Sequence, residues 1–163
     1  MSVVILLDAS SIIALSKIRF LDKFCRLCEA EGWTPIITRQ VLFEIGDAAK
    51  GTGLEKLSKV SDVSIDETFR QSRSELGDGE LSVLTAAISH PKPEAIVVIL
   101  DDSLARENAR ILGLTVWGTL RVLKIAMDHG HITRSDMLRL IDGLKATGFW
   151  FDDKVLQELL RGV

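Results

Sequence analysis

The chain reads as an α/β protein: a three-layer α/β/α sandwich around a mainly parallel central sheet, with a helical C-terminal extension. Three observations carry this expectation. Three apolar runs, Val3 to Leu7, Ala95 to Leu100 and Leu114 to Trp117, are continuous rather than alternating, as strands covered on both faces are. Stretches of helical period separate them, so the order is βαβα. Acidic residues fall immediately after two of the runs, Asp8 after the first and Asp101-Asp102 after the second. In an open parallel sheet that is the edge where ligands bind.

In chain order, Val3 to Leu7 is the first strand and Phe20 to Ala30 an amphipathic helix. Trp33 to Ile37 is a weaker strand, followed by a helix over Arg39 to Lys50 with the stripe Val41, Leu42, Ile45, Ala48 and Ala49. Val60 to Ile65 alternates like an edge strand. A helix from Gly79 to Ser89 carries the stripe Leu81, Leu84, Ala87 and Ile88. The prolines of His90-Pro91-Lys92-Pro93 exclude helix and mark an extended connection. Ser103 to Leu112 is a helix, with Leu104, Asn108, Ile111 and Leu112 as its stripe, and Gly113 stands where a C-terminal glycine belongs. Helices from Leu120 to Asp128, from Thr133 to near Gly148, and from Asp152 to Leu160 complete the chain. The expected organisation is one domain over residues 1–163, an α/β core of 1–118 with the helical tail 119–163 packed on it.

Composition narrows the function. At 163 residues the chain can bury a core without staples. Apolar residues at 47% exclude a disordered or linker-like chain. The formal net charge is −3, so any nucleic-acid binding must come from a local patch. Two cysteines are too few for a disulfide framework and suit a reducing cytoplasm. The opening MSVVILLDASSIIAL lacks a basic leading region, and Asp8 interrupts its apolar run, so neither a signal peptide nor a membrane span is expected.

The acidic residues are the informative feature. A lone Asp between a strand and a helix is ordinarily an N-cap, which suffices for Asp8 or Asp102 taken singly. Glu80 shares the apolar stripe of its helix with Leu84 and Ala87 at i+4 and i+7; otherwise it is a first-turn acid favoured by the helix dipole. Glu44 lies at the border of its stripe, where polar residues are normal. Together, four segments deliver a carboxylate to the buried face or carboxyl edge of one sheet. Acids so placed repel, and at neutral pH must share protons or hold a cation. Oxygen ligands select a hard ion, Mg²⁺ or Mn²⁺, which can activate water and neutralise a phosphodiester. Ser10 could bond a carboxylate or a metal's water, or simply initiate a helix.

In this order and spacing, ILLDASSIIAL, ITRQVLFEI, LGDGELSVLTAA and VVILDDSLARENARILGLTVWGTLRVL resemble the PIN domain, the nuclease fold of VapC-type toxins. DDSLAR, the later Gly-Thr-Leu and the helical tail resemble a PIN subfamily found beside small antitoxin-like proteins. The resemblance implies a metal-dependent ribonuclease, commonly a homodimer, acting on RNA and held by a cognate antitoxin. It makes Asp8, Glu44, Glu80 and one or both of Asp101 and Asp102 ligands or water-orienting groups. Two departures stand out. Many PIN nucleases have Thr or Ser shortly before the last Asp, where this chain has Ile99-Leu100, and many have Asp where Glu80 stands. Whether Asp101 or Asp102 points inward stays open, as does a non-cutting, partner-binding form of the fold.

Other signals are weaker. Arg106 and Arg110, one turn apart after the acid pair, could steer an RNA backbone or be a solvated face. Lys17, Arg19 and Arg39 rank below them. Cys25-x-x-Cys28 has no second pair or nearby histidine, so core thiols are expected. A receiver domain would need a lysine after a late strand, and a haloacid-type phosphatase an Asp-x-Asp after the first. The chain has neither.

Overall fold

The computed structural model describes residues 2–48, 50–51, 53–57 and 59–161. Five strands form a single sheet: β1 (Val4–Leu7), β2 (Thr34–Thr38), β3 (Lys59–Ser61), β4 (Ile96–Ile99) and β5 (Thr115–Trp117). Their order is β3-β2-β1-β4-β5, and every pairing is parallel. Helices flank the sheet, giving the expected α/β/α sandwich. They are α1 (Ala9–Lys17), α2 (Leu21–Glu31), α3 (Arg39–Ile45), α4 (Glu67–Ser72), α5 (Asp78–Ile88), α6 (Ser103–Ile111), α7 (Thr119–Asp128), α8 (Arg134–Ala146) and α9 (Asp153–Leu160).

The two central strands, β1 and β4, are nearly all buried residues, because helices cover both their faces. Their register pairs Leu7 with Ile99, so both strands end at one level. The Asp8 amide extends this ladder to the Ile99 carbonyl, and the Leu100 amide bonds the Trp117 carbonyl at 2.9 Å. The residues after three strands are therefore held side by side at the carboxyl edge. Helix α5 lies across β2, β1 and β4 and against α3, while α7 and α8 rest on α1. Trp33 and Trp117 pack with their rings tilted by 58°, 5.4 Å between centroids.

Several expected elements need correction. Helix α3 stops at Ile45 rather than Lys50, because Gly46 turns to φ 52°. Ala48 is exposed instead of striped, and Ala49 lies outside the described residues. Only Lys59–Ser61 of the alternating segment pairs with the sheet, as its outermost strand. On α6 the covered residues are Ala105 and Ala109, and Ile111 is 72% exposed. Small side chains seat this helix close to the sheet, a preference that hydropathy underweights. On α5 the end residue Ile88 faces outward, while Ser82 and Val83 are buried. Helix α4 buries no residue, so it had no apolar period to announce it; its cap, Asp66, was the available signal.

Candidate active site

Each acid's position follows from local physics. Asp8 leaves β1 in an extended conformation and caps α1, its Oδ1 accepting the Ser11 amide at 2.8 Å. Asp102 does the same for α6, accepting the Ala105 amide at 2.9 Å. The capping explanation is thus correct for both. It does not account for burial: Asp8 is 1% exposed, far more than a cap requires.

Asp101 turns the other way. Its Oδ2 accepts the hydroxyls of Ser11 at 2.9 Å and Thr119 at 2.5 Å, and its Oδ1 the Thr119 amide at 2.7 Å. It thereby caps α7, whose own cap residue is Gly118 and has no side chain to do so. Of the acid pair, Asp101 faces Asp8 and is half-buried, while Asp102 is exposed and faces Glu80.

Glu80 is half-buried, and its Oε2 accepts the Gly77 amide at 3.0 Å, the one half of a capping box that a glycine cap allows on α5. Glu44 is exposed on α3, yet its Oε1 accepts the Gly79 amide at 2.8 Å. That amide is one of the first-turn donors a helix cannot satisfy internally. Beneath them, Thr38 and Ser82 share a buried 2.6 Å hydrogen bond. Four helix N-termini, of α1, α5, α6 and α7, carry or border these acids, so their dipoles offset part of the negative charge.

The electrostatics show how close the group is. Asp8 is pushed up to about 7, chiefly by burial and further by Asp101 and Glu80, against the Ser11 bonds that lower it. Glu80 is also raised, by burial first, then by Asp102 and Glu44. All five sequence-derived acids therefore act on one another through Asp8 or Glu80. Ser10 donates to Asp8 Oδ2 at 3.3 Å.

The donors are oxygens only, which suits a hard divalent ion. Among the described residues no three acidic, histidine or cysteine side chains converge closely enough to ligate one ion directly. A solvent-shielded Asp8 carboxyl with acidic neighbours, whose ionised form is penalised without a cation, is the observation that fits such an ion.

Sequence reasoning missed four residues that arrange the acids: Ser11, Thr119, Gly79 and Gly118. A β-carbon at 79 would lie 2.5 Å from Glu44 Oε2, and one at 118 would lie 3.0 Å from Asp101 Oδ1. The Gly-Thr-Leu triplet was the visible signal for two of them. Arg106 and Arg110 differ from a solvated pair: Arg106 is half-buried and donates to the Leu100 carbonyl at 2.8 Å. Arg39 is tied to Asp62. His129 and His131 both meet Glu31, away from the acids. Cys25 and Cys28 are buried core thiols.

The sequence model of the PIN domain matches residues 4–163, nearly the whole chain. No curated protein and no solved structure matches it.

Proposed function

The chain belongs to the PIN-domain family, and on that premise we propose that it is a metal-dependent endoribonuclease cleaving RNA phosphodiester bonds. PIN domains are typically nucleases and generally use divalent metal ions. The observation that carries the reading is Asp8: a buried carboxylate with two further acids pressing on it, in a place where capping alone would not bury it.

On this reading Asp8, Glu80, Asp101 and Asp102 would hold Mg²⁺ or Mn²⁺. When bound, the ion neutralises charge on the phosphodiester and acidifies a water molecule. The chain's own residues do the rest. Ser11 and Thr119 hold Asp101 in one orientation, and Ser10 and the Ser11 amide hold Asp8. Glu80 Oε2 is engaged with the Gly77 amide, so Oε1 is the atom that takes a proton from the attacking water. Burial raises its proton affinity, which favours taking that proton. Glu44 braces the first turn of α5 and with it Glu80.

The subfamily features in DDSLAR and Gly-Thr-Leu support a wider role as the toxin of a VapBC-type pair. In that role the chain is cytoplasmic, one domain, restrained by a cognate antitoxin and paired as a homodimer. Phe43, 88% exposed beside Glu44, supports such pairing. Among the described residues no helix is long and apolar enough to cross a membrane.

The test is cleavage of a mixed RNA pool in Mg²⁺, Mn²⁺ or excess chelator, with Asp8→Asn in parallel. Metal-dependent cutting lost in the variant is expected. Folded protein that never cuts favours the partner-binding form, and equal cutting by both chains overturns the site.

A further inference from the structure

A second feature opens beside the acids. A groove of about 580 Å³ runs between the end of β5, α6, α7 and the start of α9, and Asp101 lines it as well as the acid cluster. Arg106 and Arg110 of α6 and Arg121 of α7 enter from one side. The Phe149–Phe151 segment forms the other, with Trp150 84% exposed.

The cations are arranged against their own preference. Arg106 and Arg110 are close enough that Arg110, after burial, holds the Arg106 guanidinium below its usual range. Among the described residues none of the three arginines makes an ion pair. Arg106 is fixed by its bond to the Leu100 carbonyl and by Gly118, where a β-carbon would sit 2.7 Å from Nη1. Asp101 attracts Arg106, yet in a chain of net charge −3 three cations gathered along one groove make a local anion site. Asp152, at the rim, is occupied capping α9.

Arginines alone would take any polyanion. The exposed indole adds a second requirement, a flat π-face to stack against, and a nucleobase meets both. A duplex hides its base faces, so the fit is to a single strand. We infer that this groove holds the single-stranded nucleic acid next to the bond presented to the acids, with a base on Trp150 and phosphates on Arg106, Arg110 and Arg121. The inference rests on the nuclease reading, but binding is measurable without cutting.

The experiment is fluorescence anisotropy of labelled 12-nucleotide oligouridine and oligoadenosine, in chelator, on the full chain carrying Asp8→Asn. Trp150→Ala should weaken binding about 5- to 140-fold, and Trp150→Phe should restore most of it. Arg110→Ala with Arg121→Ala should lower the slope of log affinity against log salt by about 1.4. Equal, Trp150-independent binding of a duplex would overturn the inference. So would oligoglutamate competing as well as RNA, which assigns the groove to a protein partner. A Trp150→Ala chain that turns from dimer to monomer with RNA affinity unchanged would assign it to a second copy. The two readings fail separately. Metal-dependent cutting by a Trp150→Ala chain that binds normally sinks the groove alone, while Trp150-dependent binding by a chain that never cuts sinks the nuclease alone.

Discussion

Glu44 and Gly79 lie 35 residues apart, yet the Glu44 carboxylate accepts the Gly79 amide and fills the space a β-carbon there would need. Gly79 has an ordinary helical position, so the glycine answers to the carboxylate and not to the backbone. The contact ties α3 to the first turn of α5, which carries Glu80.

Gly79→Ala therefore tests the contact directly. In the natural chain the added methyl should destabilise by about 1–3 kcal/mol, the range for overpacking. In a Glu44→Ala background the same change should be neutral, or stabilise by up to about 1 kcal/mol through helix propensity. Urea unfolding of the four chains completes the cycle. Additive effects would mean the carboxylate does not dictate the glycine.

Asp8 predicts a pH dependence with a definite sign. Its folded-state pKa, about 7, lies above the ordinary 3.8. Between those values the folded chain holds a proton that the unfolded chain releases, so stability is lost as pH rises from 4 through 7. Asp8→Asn keeps the cap, since an amide oxygen also accepts the Ser11 N–H, and removes the titration. The two chains should match near pH 4. By pH 8, without metal, the variant should be the more stable by up to about 4 kcal/mol. Thermal unfolding across pH checks this; a less stable variant at pH 8 would mean that burial and acidic neighbours do not penalise the Asp8 carboxylate.

Thr119 is a prediction about orientation. Thr119→Val keeps the shape but removes the hydroxyl that Asp101 Oδ2 accepts at 2.5 Å. Stability should fall by about 1.5–3 kcal/mol, as for a hydrogen bond to a charged group. Cleavage or metal affinity should drop on the order of 10- to 100-fold, the usual effect of losing a ligand's support. Thr119→Ser should recover both. A Val variant that cuts like the natural chain would show that Asp101 needs no such support.

Burial pushes the Cys25 thiol up to about 11 and Cys28 up to about 12. With so little thiolate, neither should react with iodoacetamide at pH 8 in the native chain, and both should react in denaturant. Mass spectrometry after a timed exposure reads this. Rapid native labelling would mean that α2 opens from the core.

Four of the five acids were legible because each sits at a local punctuation mark, the end of an apolar run or the first turn of a helix; Glu44, in the last turn of α3, showed only as the border of an apolar stripe. Glu80 was recognisable both as a first-turn acid and as an intruder on an apolar stripe, and the structure makes it both. The face of α6 was misread in part: Leu104 and Leu112 pack on the core as expected, but Ile111 does not, and the buried contact is made by Ala105 and Ala109, whose value lies in being small. Trp150 gave no signal, since one exposed aromatic acquires meaning only from what stands opposite it.

What the sequence determined by itself was the order of strands and helices and the arrival of carboxylates at one sheet edge. Those properties depend on periodicity and punctuation within a dozen residues. Only the tertiary structure turned Asp101 toward Asp8 and Asp102 toward Glu80, gave Gly79 and Gly118 their reasons, and set three arginines beside an indole. The hydrogen bonds of Asp101 and Gly79 join groups 18 to 90 residues apart, and the groove gathers side chains from three separate segments. No local pattern encodes such a meeting, because the closing of the sheet brings it about.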